Sequence, residues 1–149
     1  MNSSLRNVYQ RIILEHNARP KNFGPLPSST HQARAHNALC GDEVILRLRL
    51  EGGRIAEVRF EGNGCALSRA SASLMTIAIE GRSLEEEALL SAELSKLLSR
   101  APEGAPADAT LLGGLMALEG VRDVPSRLRC ATLPWEALRS ALAGTVQAS

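Results

Sequence analysis

Aromatic side chains are nearly missing from this chain of 149 residues: Tyr9, Phe23, Phe60 and Trp135 are the whole set. A row of ring platforms for stacking bases is therefore excluded, and the core has to be built from Leu, Ile, Val and Ala. An excess of one charge is also missing. The 17 Lys and Arg stand against 16 Asp and Glu, a net charge of +1, so there is no basic stripe of the kind a polyanion binder carries and nucleic acid is not an expected partner. No apolar run approaches the roughly 18 residues of a membrane span. The segment Met1-Asn2-Ser3-Ser4-Leu5-Arg6 has no apolar stretch before a cleavage pattern, so the expected location is the cytoplasm. The 3 cysteines are an odd number and cannot all pair. In a reducing compartment, free thiols, metal ligands or a reactive cysteine are expected rather than a disulfide framework.

What is present reads as one α+β domain over 1–149. Leu5, Val8, Tyr9, Ile12 and Ile13 recur at helical spacing, which predicts a helix from Leu5 to about Asn17 with Ser4 as its N-cap. Pro20, Gly24-Pro25 and Pro27 end it and open a long loop to Asp42. Then Val44, Leu46, Leu48 and Leu50 alternate with Ile45, Arg47 and Arg49, and after Gly52-Gly53 Ala56, Val58 and Phe60 alternate with Glu57 and Arg59. Two period-two runs across a Gly-Gly pair predict an antiparallel hairpin with one apolar and one charged face. A hairpin alone is marginal, so a third strand is expected from the 30s region. Gly62-Asn63-Gly64-Cys65 reads as a tight turn before a small-residue helix from Ala66 to about Glu80, ended by Gly81. Ser83-Leu84-Glu85-Glu86 is a capping box for a helix to about Ser99. A Pro- and Gly-containing loop over 100–109, a short apolar helix over Leu111–Leu118, and a last helix opened by Pro125-Ser126 follow. Pro134 either kinks that helix or delays its regular part to near Thr132. Residues 144–149 read as a frayed tail.

The cysteines stand at junctions. Cys40 precedes Gly41-Asp42 at the start of the first strong strand, Cys65 follows Gly62-Asn63-Gly64, and Cys130 is near the start of the last helix. Helix starts lower thiol pKa values, so Cys65 and Cys130 are expected to be thiolates near neutral pH. With Asp42, these residues offer three sulfurs and one oxygen, a tetrahedral set acceptable to zinc or to an iron–sulfur cluster. Spacing alone leaves open a second reading, three buried and inert cysteines, because no C-x-x-C pair is present.

Four segments resemble, in order, the NifU/IscU/SufU-type iron–sulfur cluster assembly family. They are Tyr9-Gln10-Arg11-Ile12-Ile13-Leu14-Glu15-His16 with Arg19-Pro20-Lys21-Asn22-Phe23-Gly24; Asn37-Ala38-Leu39-Cys40-Gly41-Asp42; Phe60-Glu61-Gly62-Asn63-Gly64-Cys65-Ala66-Leu67-Ser68; and Pro125-Ser126-Arg127-Leu128-Arg129-Cys130-Ala131-Thr132-Leu133. The resemblance implies a small three-stranded antiparallel sheet with helices packed on one face. The scaffold branch of that family has a histidine just before the third cysteine, where this chain has Arg129, which cannot ligate. The segment 83–110 matches a helical insertion of the SufU-like branch. That branch implies zinc on Cys40, Asp42, Cys65 and Cys130, with Cys40 accepting sulfur from a SufS-like, pyridoxal-phosphate-dependent cysteine desulfurase and downstream iron–sulfur assembly proteins as further partners. Arg127 matches a basic position whose guanidinium offsets part of the site's negative charge. Two alternatives stay open: a scaffold building a transient [2Fe–2S] cluster, or holding iron, on the same four ligands, and a zinc-stabilised adaptor without sulfur chemistry. The family usually has an aromatic where Asn17 stands and a polar residue where Ile77 stands, and Pro134 is unusual for it.

The plainer readings of the remaining residues are these. His16 is a surface or capping residue; His31 and His36 are solvated in the long loop. Arg47, Arg49, Arg54 and Arg59, interrupted by Glu43, Glu51 and Glu57, form a solvated face. Ser68, Ser71 and Ser73 serve close helix packing, and Met75, Met116 and Trp135 belong to the core.

Overall fold

The computed structural model describes residues 3–39, 41–99, 106–122 and 124–144. Its sheet is three-stranded and antiparallel in the order β1 (His31–Asn37), β2 (Asp42–Glu51), β3 (Arg54–Glu61). The third strand is thus the one expected from the 30s region, so His31 and His36 lie on a strand and not in a loop. The β2–β3 hairpin turns at Gly52 (φ 58°) and Gly53 (φ 77°), with Glu51 opposite Arg54. Both glycines take the left-handed backbone that the turn requires.

Alternation places Ala33, Ala35, Val44, Leu46, Leu48, Val58 and Phe60 on one buried face. The other face is charged. Arg34 pairs with Glu43 at 2.6 Å, Arg47 with Glu61, Arg49 with Glu57 at 3.0 Å and Arg59 with Glu80 at 3.6 Å. Arg47 and Arg59 are directly opposed across the ladder, and these carboxylates relieve the repulsion. Each such half-exposed pair is worth at most about 1 kcal/mol. The outer edge of β3 is covered: Phe60 N donates to Asn22 O (3.0 Å), Gly24 N to Phe60 O (2.9 Å), Gly81 N to Ile55 O (2.7 Å) and Ile55 N to Arg82 O (2.8 Å). Covering the edge in this way blocks strand addition by another chain.

The helices are α1 (Ser3–Ala18), α2 (Ala66–Ile79), α3 (Leu84–Leu98), α4 (Ala109–Leu112) and α5 (Pro125–Leu142). α2 and α5 lie against the sheet, and α1 covers α2. Small residues make this possible. Ala70, Ser71, Ala72 and Ser73 are all buried in α2, which lets neighbouring backbones approach. The Ser71 hydroxyl donates to Ala131 O at 2.6 Å and ties α2 to α5. Met75 and Trp135 are buried, and Met116 packs partly buried against the core. No helix among the described residues is long and apolar enough to cross a membrane.

Three further expectations change. α1 begins at Ser3, so Ser4 lies inside the helix and does not cap it. The apolar helix expected over Leu111–Leu118 is one turn of α-helix, α4, followed by a 3₁₀ helix over Gly113–Val121. Asp108 caps α4 by accepting from Thr110 N (3.0 Å) and Leu111 N (3.1 Å), and Gly113 at φ 54° breaks the α-helical path. α5 runs without interruption through Pro134, so the later start near Thr132 is not seen. Packing of the buried Pro134, Trp135 and Leu138 holds the helix together where one backbone donor is lost. The capping box is as expected: Glu86 N donates to Ser83 Oγ (3.1 Å) and Ser83 N to Glu86 Oε1 (2.9 Å). Residues 100–105 of the expected loop and 145–149 of the expected tail lie outside the described residues.

Candidate metal centre

Three of the four expected ligands converge. The ligand atoms of Asp42, Cys65 and Cys130 all lie within 4.8 Å of one another, although Asp42 opens β2, Cys65 caps α2 and Cys130 sits on α5. Cys40 lies outside the described residues; its chain neighbours are Leu39, fully exposed on the wall of the cleft described below, and Gly41, at φ 71° with its N–H donating to Asn37 O at 2.9 Å.

Each position has a local cause. Asn37 opposes Asp42 where the β1–β2 ladder ends, which brings the buried Asp42 carboxylate to the sheet's rim. That carboxylate accepts from Cys65 N at 2.9 Å, so the strand end and the helix start are joined directly. Cys65 is the N-cap of α2, and its sulfur accepts from Ser68 N at 3.4 Å. The approach depends on Gly62. Its φ is 132°, and a Cβ there would lie 2.1 Å from Glu43 O, so only glycine lets β3 leave the sheet this close to β2.

Cys130 differs from its expected state. It is one full turn inside α5, which starts at Pro125, and its thiol donates to Ser126 O at 3.5 Å. Burial pushes the Cys130 thiol well up from its ordinary range, and the nearby Cys65 and Asp42 add to the shift. It is therefore protonated at neutral pH when no cation is bound. The N–H groups at the start of α2 face Cys65, and Cys130, a turn inside α5, has no such donors.

The donor set fits a tetrahedral cation. Zn–S bonds of about 2.3 Å put sulfurs ~3.8 Å apart, so a set already within 4.8 Å closes on an ion with shifts of ~1 Å or less. The residues that would hold zinc are Asp42, Cys65 and Cys130, with Cys40 the expected fourth. Binding such an ion would displace the Cys130 proton.

A cleft of about 1080 Å³ opens on Cys65 and Cys130. Tyr9 and Ile13 of α1, Leu39 before β2, and Arg122, Arg127 and Arg129 around the start of α5 line it. Arg127 is thus on the cleft wall beside the cysteines, as is Arg129 at the position before Cys130. Burial followed by the nearby Glu119 raises the Tyr9 pKa, which keeps the phenol neutral.

Two residues carry more than their sequence reading. His16 is half-buried, its Nδ1 2.7 Å from Ser73 Oγ, which also accepts from Lys21 N at 2.7 Å. It latches the end of α1 to α2. Burial, then Lys21, hold its pKa below the usual value against the opposing Glu15. Ser68 is fully buried beside the ligands and its hydroxyl has no hydrogen-bond partner among the described residues. Small-residue spacing on a helix does not distinguish such a serine from Ser71, which packs.

Comparison with known proteins agrees with this architecture. The family described as the NifU-like N-terminal domain matches residues 8–131. The zinc-dependent sulfurtransferase SufU of Bacillus subtilis is 38% identical over 143 residues, covering 95% of this chain and 94% of its own length. The iron–sulfur cluster assembly scaffold protein IscU of Streptococcus pyogenes is 36% identical over 140 residues, covering 94% of this chain and 86% of its own. The crystal structure of SufU from Fervidobacterium islandicum superposes with a TM-score of 0.81 at 29% identity, covering 95% of this chain and 99% of that one. With its three-stranded sheet, its packed helices and its matched motifs, the chain belongs to the NifU-like N-terminal domain family.

Proposed function

We propose that this protein serves iron–sulfur cluster assembly as a zinc-dependent sulfur acceptor for a pyridoxal-phosphate-dependent cysteine desulfurase. The observation that carries the reading is the convergence of Asp42, Cys65 and Cys130 within 4.8 Å, with both cysteines lining an open cleft that arginines also line. Bound zinc supplies a Lewis-acidic centre that holds thiols as thiolates at neutral pH. Arg129, where a scaffold's histidine would stand, has no lone pair to offer a metal. This favours sulfur transfer over cluster building on the same ligands. The helix α3 fits the SufU-type insertion, and the 38% identity to a SufU adds weight.

In the proposed step, Cys40 is the nucleophile. Its thiolate attacks the outer sulfur of the desulfurase persulfide; one S–S bond forms, one breaks, and the desulfurase cysteine leaves as thiolate. No external oxidant or reductant is needed. Asp42, Cys65 and Cys130 keep the site together while Cys40 reacts. Arg127 and Arg129 on the cleft wall offset the site's net negative charge and attract an acidic partner surface. Downstream assembly proteins then take the sulfur, in the cytoplasm.

Cys40→Ser tests the reading. Desulfurase turnover in the presence of the variant is expected to fall to the level of the desulfurase alone, while the fold survives. Unchanged turnover with failed cluster assembly overturns the proposal in favour of a scaffold. Loss of stability alone would mean a structural zinc site.

A further inference from the structure

The first turn of α2 carries a buried hydroxyl that none of the described residues satisfies. Ser68 is 1% exposed, and its Oγ has no hydrogen-bond partner among the described residues. Such a group is destabilising when left unpaired. The neighbouring serines of the same helix are satisfied: Ser71 by Ala131 O at 2.6 Å, Ser73 by Lys21 N and His16. Ser68 therefore does not share their packing role.

Its surroundings are specific. A Cβ built on Gly64 would lie 3.2 Å from Ser68 Oγ and 3.4 Å from Asp42 Oδ1. The hydroxyl and the carboxylate thus flank the same gap, one that any residue larger than glycine would fill. Asp42 Oδ1 already accepts from Cys65 N at 2.9 Å. Ser68's own backbone N–H points at Cys65 Sγ at 3.4 Å. One residue therefore faces two members of the candidate ligand set, with a backbone donor for one and an idle side-chain donor beside the other.

We propose that Ser68 is a positioning residue whose hydroxyl donates to the Asp42 carboxylate, directly or through one water in the Gly64 gap, when the ligand set closes on a cation. The hydroxyl then stabilises the loaded centre and burdens the metal-free one. This rests on the metal centre of the proposed function, though not on its sulfur chemistry. Hydrogen-bonded partners of ligating groups typically contribute 10- to 100-fold to metal affinity.

The test uses zinc alone, titrated into the full metal-free chain against a chelating indicator, alongside thermal unfolding of the metal-free chain. Ser68→Ala is expected to lower zinc affinity about tenfold or more while leaving the metal-free melting temperature unchanged or raised, because an unsatisfied hydroxyl has been removed. Gly64→Ala, which fills the gap but keeps the hydroxyl, is expected to weaken zinc binding as well. Ser68→Thr, which keeps a hydroxyl, should retain more affinity than Ser68→Ala. The inference is overturned by unchanged zinc affinity in Ser68→Ala, or by a metal-free chain destabilised enough to account for the whole loss of affinity. Failure of the wild-type chain to bind zinc would instead overturn the metal centre itself.

Discussion

Replacing Gly62 by alanine should damage the fold and the metal centre together, and the size of the effect can be worked out. Two separate costs add. At φ 132°, Gly62 occupies backbone space that L-residues rarely enter, worth about 1–3 kcal/mol of strain. The new Cβ would also sit 2.1 Å from Glu43 O, 2.9 Å from Glu43 C and 3.2 Å from Val44 Cα. All three are backbone atoms, so no side chain can swing away. Reaching the 3.0 Å that real Cβ contacts respect requires the two backbones to part by about 1 Å, and overpacking of that kind costs a further 1–3 kcal/mol or so. The sum is about 2–6 kcal/mol. For a chain of this size that lowers Tm by roughly 4–24 °C. The displaced residue, Glu43, adjoins Asp42, so zinc affinity should fall with stability. Gly53→Ala is the matched control: its φ is also positive, 77°, but nothing lies within 4 Å of the added Cβ. It should cost only the left-handed strain, about 1–2 kcal/mol, and leave zinc binding unchanged. Denaturant unfolding and zinc titration of both variants decide the matter. Equal stability losses in the two would refute the argument, because they would show that the Glu43 contact contributes nothing.

Further outcomes follow from single contacts. Ser71→Ala removes the 2.6 Å bond from α2 to Ala131 O and should cost about 1–2 kcal/mol in urea unfolding; a neutral result would mean that α2 and α5 are held by apolar packing alone. His16 has a depressed pKa in the fold, so below pH ~6.5 the unfolded chain binds more protons than the folded one. Stability conferred by the neutral imidazole is therefore complete above pH ~6.5 and is lost as pH falls through the folded value. His16→Gln should flatten that part of the Tm-against-pH curve, and an unchanged slope would assign it to other groups.

Much of the architecture was legible in short-range pattern. The hairpin could be read because Leu46, Leu48 and Leu50 alternate with Arg47 and Arg49 and a Gly-Gly pair follows, a period of two that a half-buried strand uses. α3 could be read because Ser83 and Glu86 satisfy each other's backbone donors within four residues. The first strand was harder: in His31–Asn37 its apolar members are only Ala33 and Ala35, too small to mark an alternation. The 3₁₀ helix escaped because its apolar spacing over so few residues is shared with α-helix, and a single φ at Gly113 decided between them. Pro134 argued against a continuous helix, and packing around it overrode the local cost.

For the site, the sequence by itself determined the chemistry on offer: which residues can ligate, that Arg129 cannot, and that glycines flank Cys40 and Cys65. Tertiary structure alone decided what these residues experience. Asp42, Cys65 and Cys130 come within 4.8 Å only because a strand end, a helix cap and a distant helix meet at one rim of the sheet. Cys130 looked like a helix-start thiolate and is a buried, protonated thiol, since burial depends on what α5 packs against and not on its own sequence. The serines of α2 look alike along the chain, yet Ser71 and Ser73 are satisfied while Ser68 is not. A hydroxyl's partner is set by distances across elements, and no local pattern encodes them.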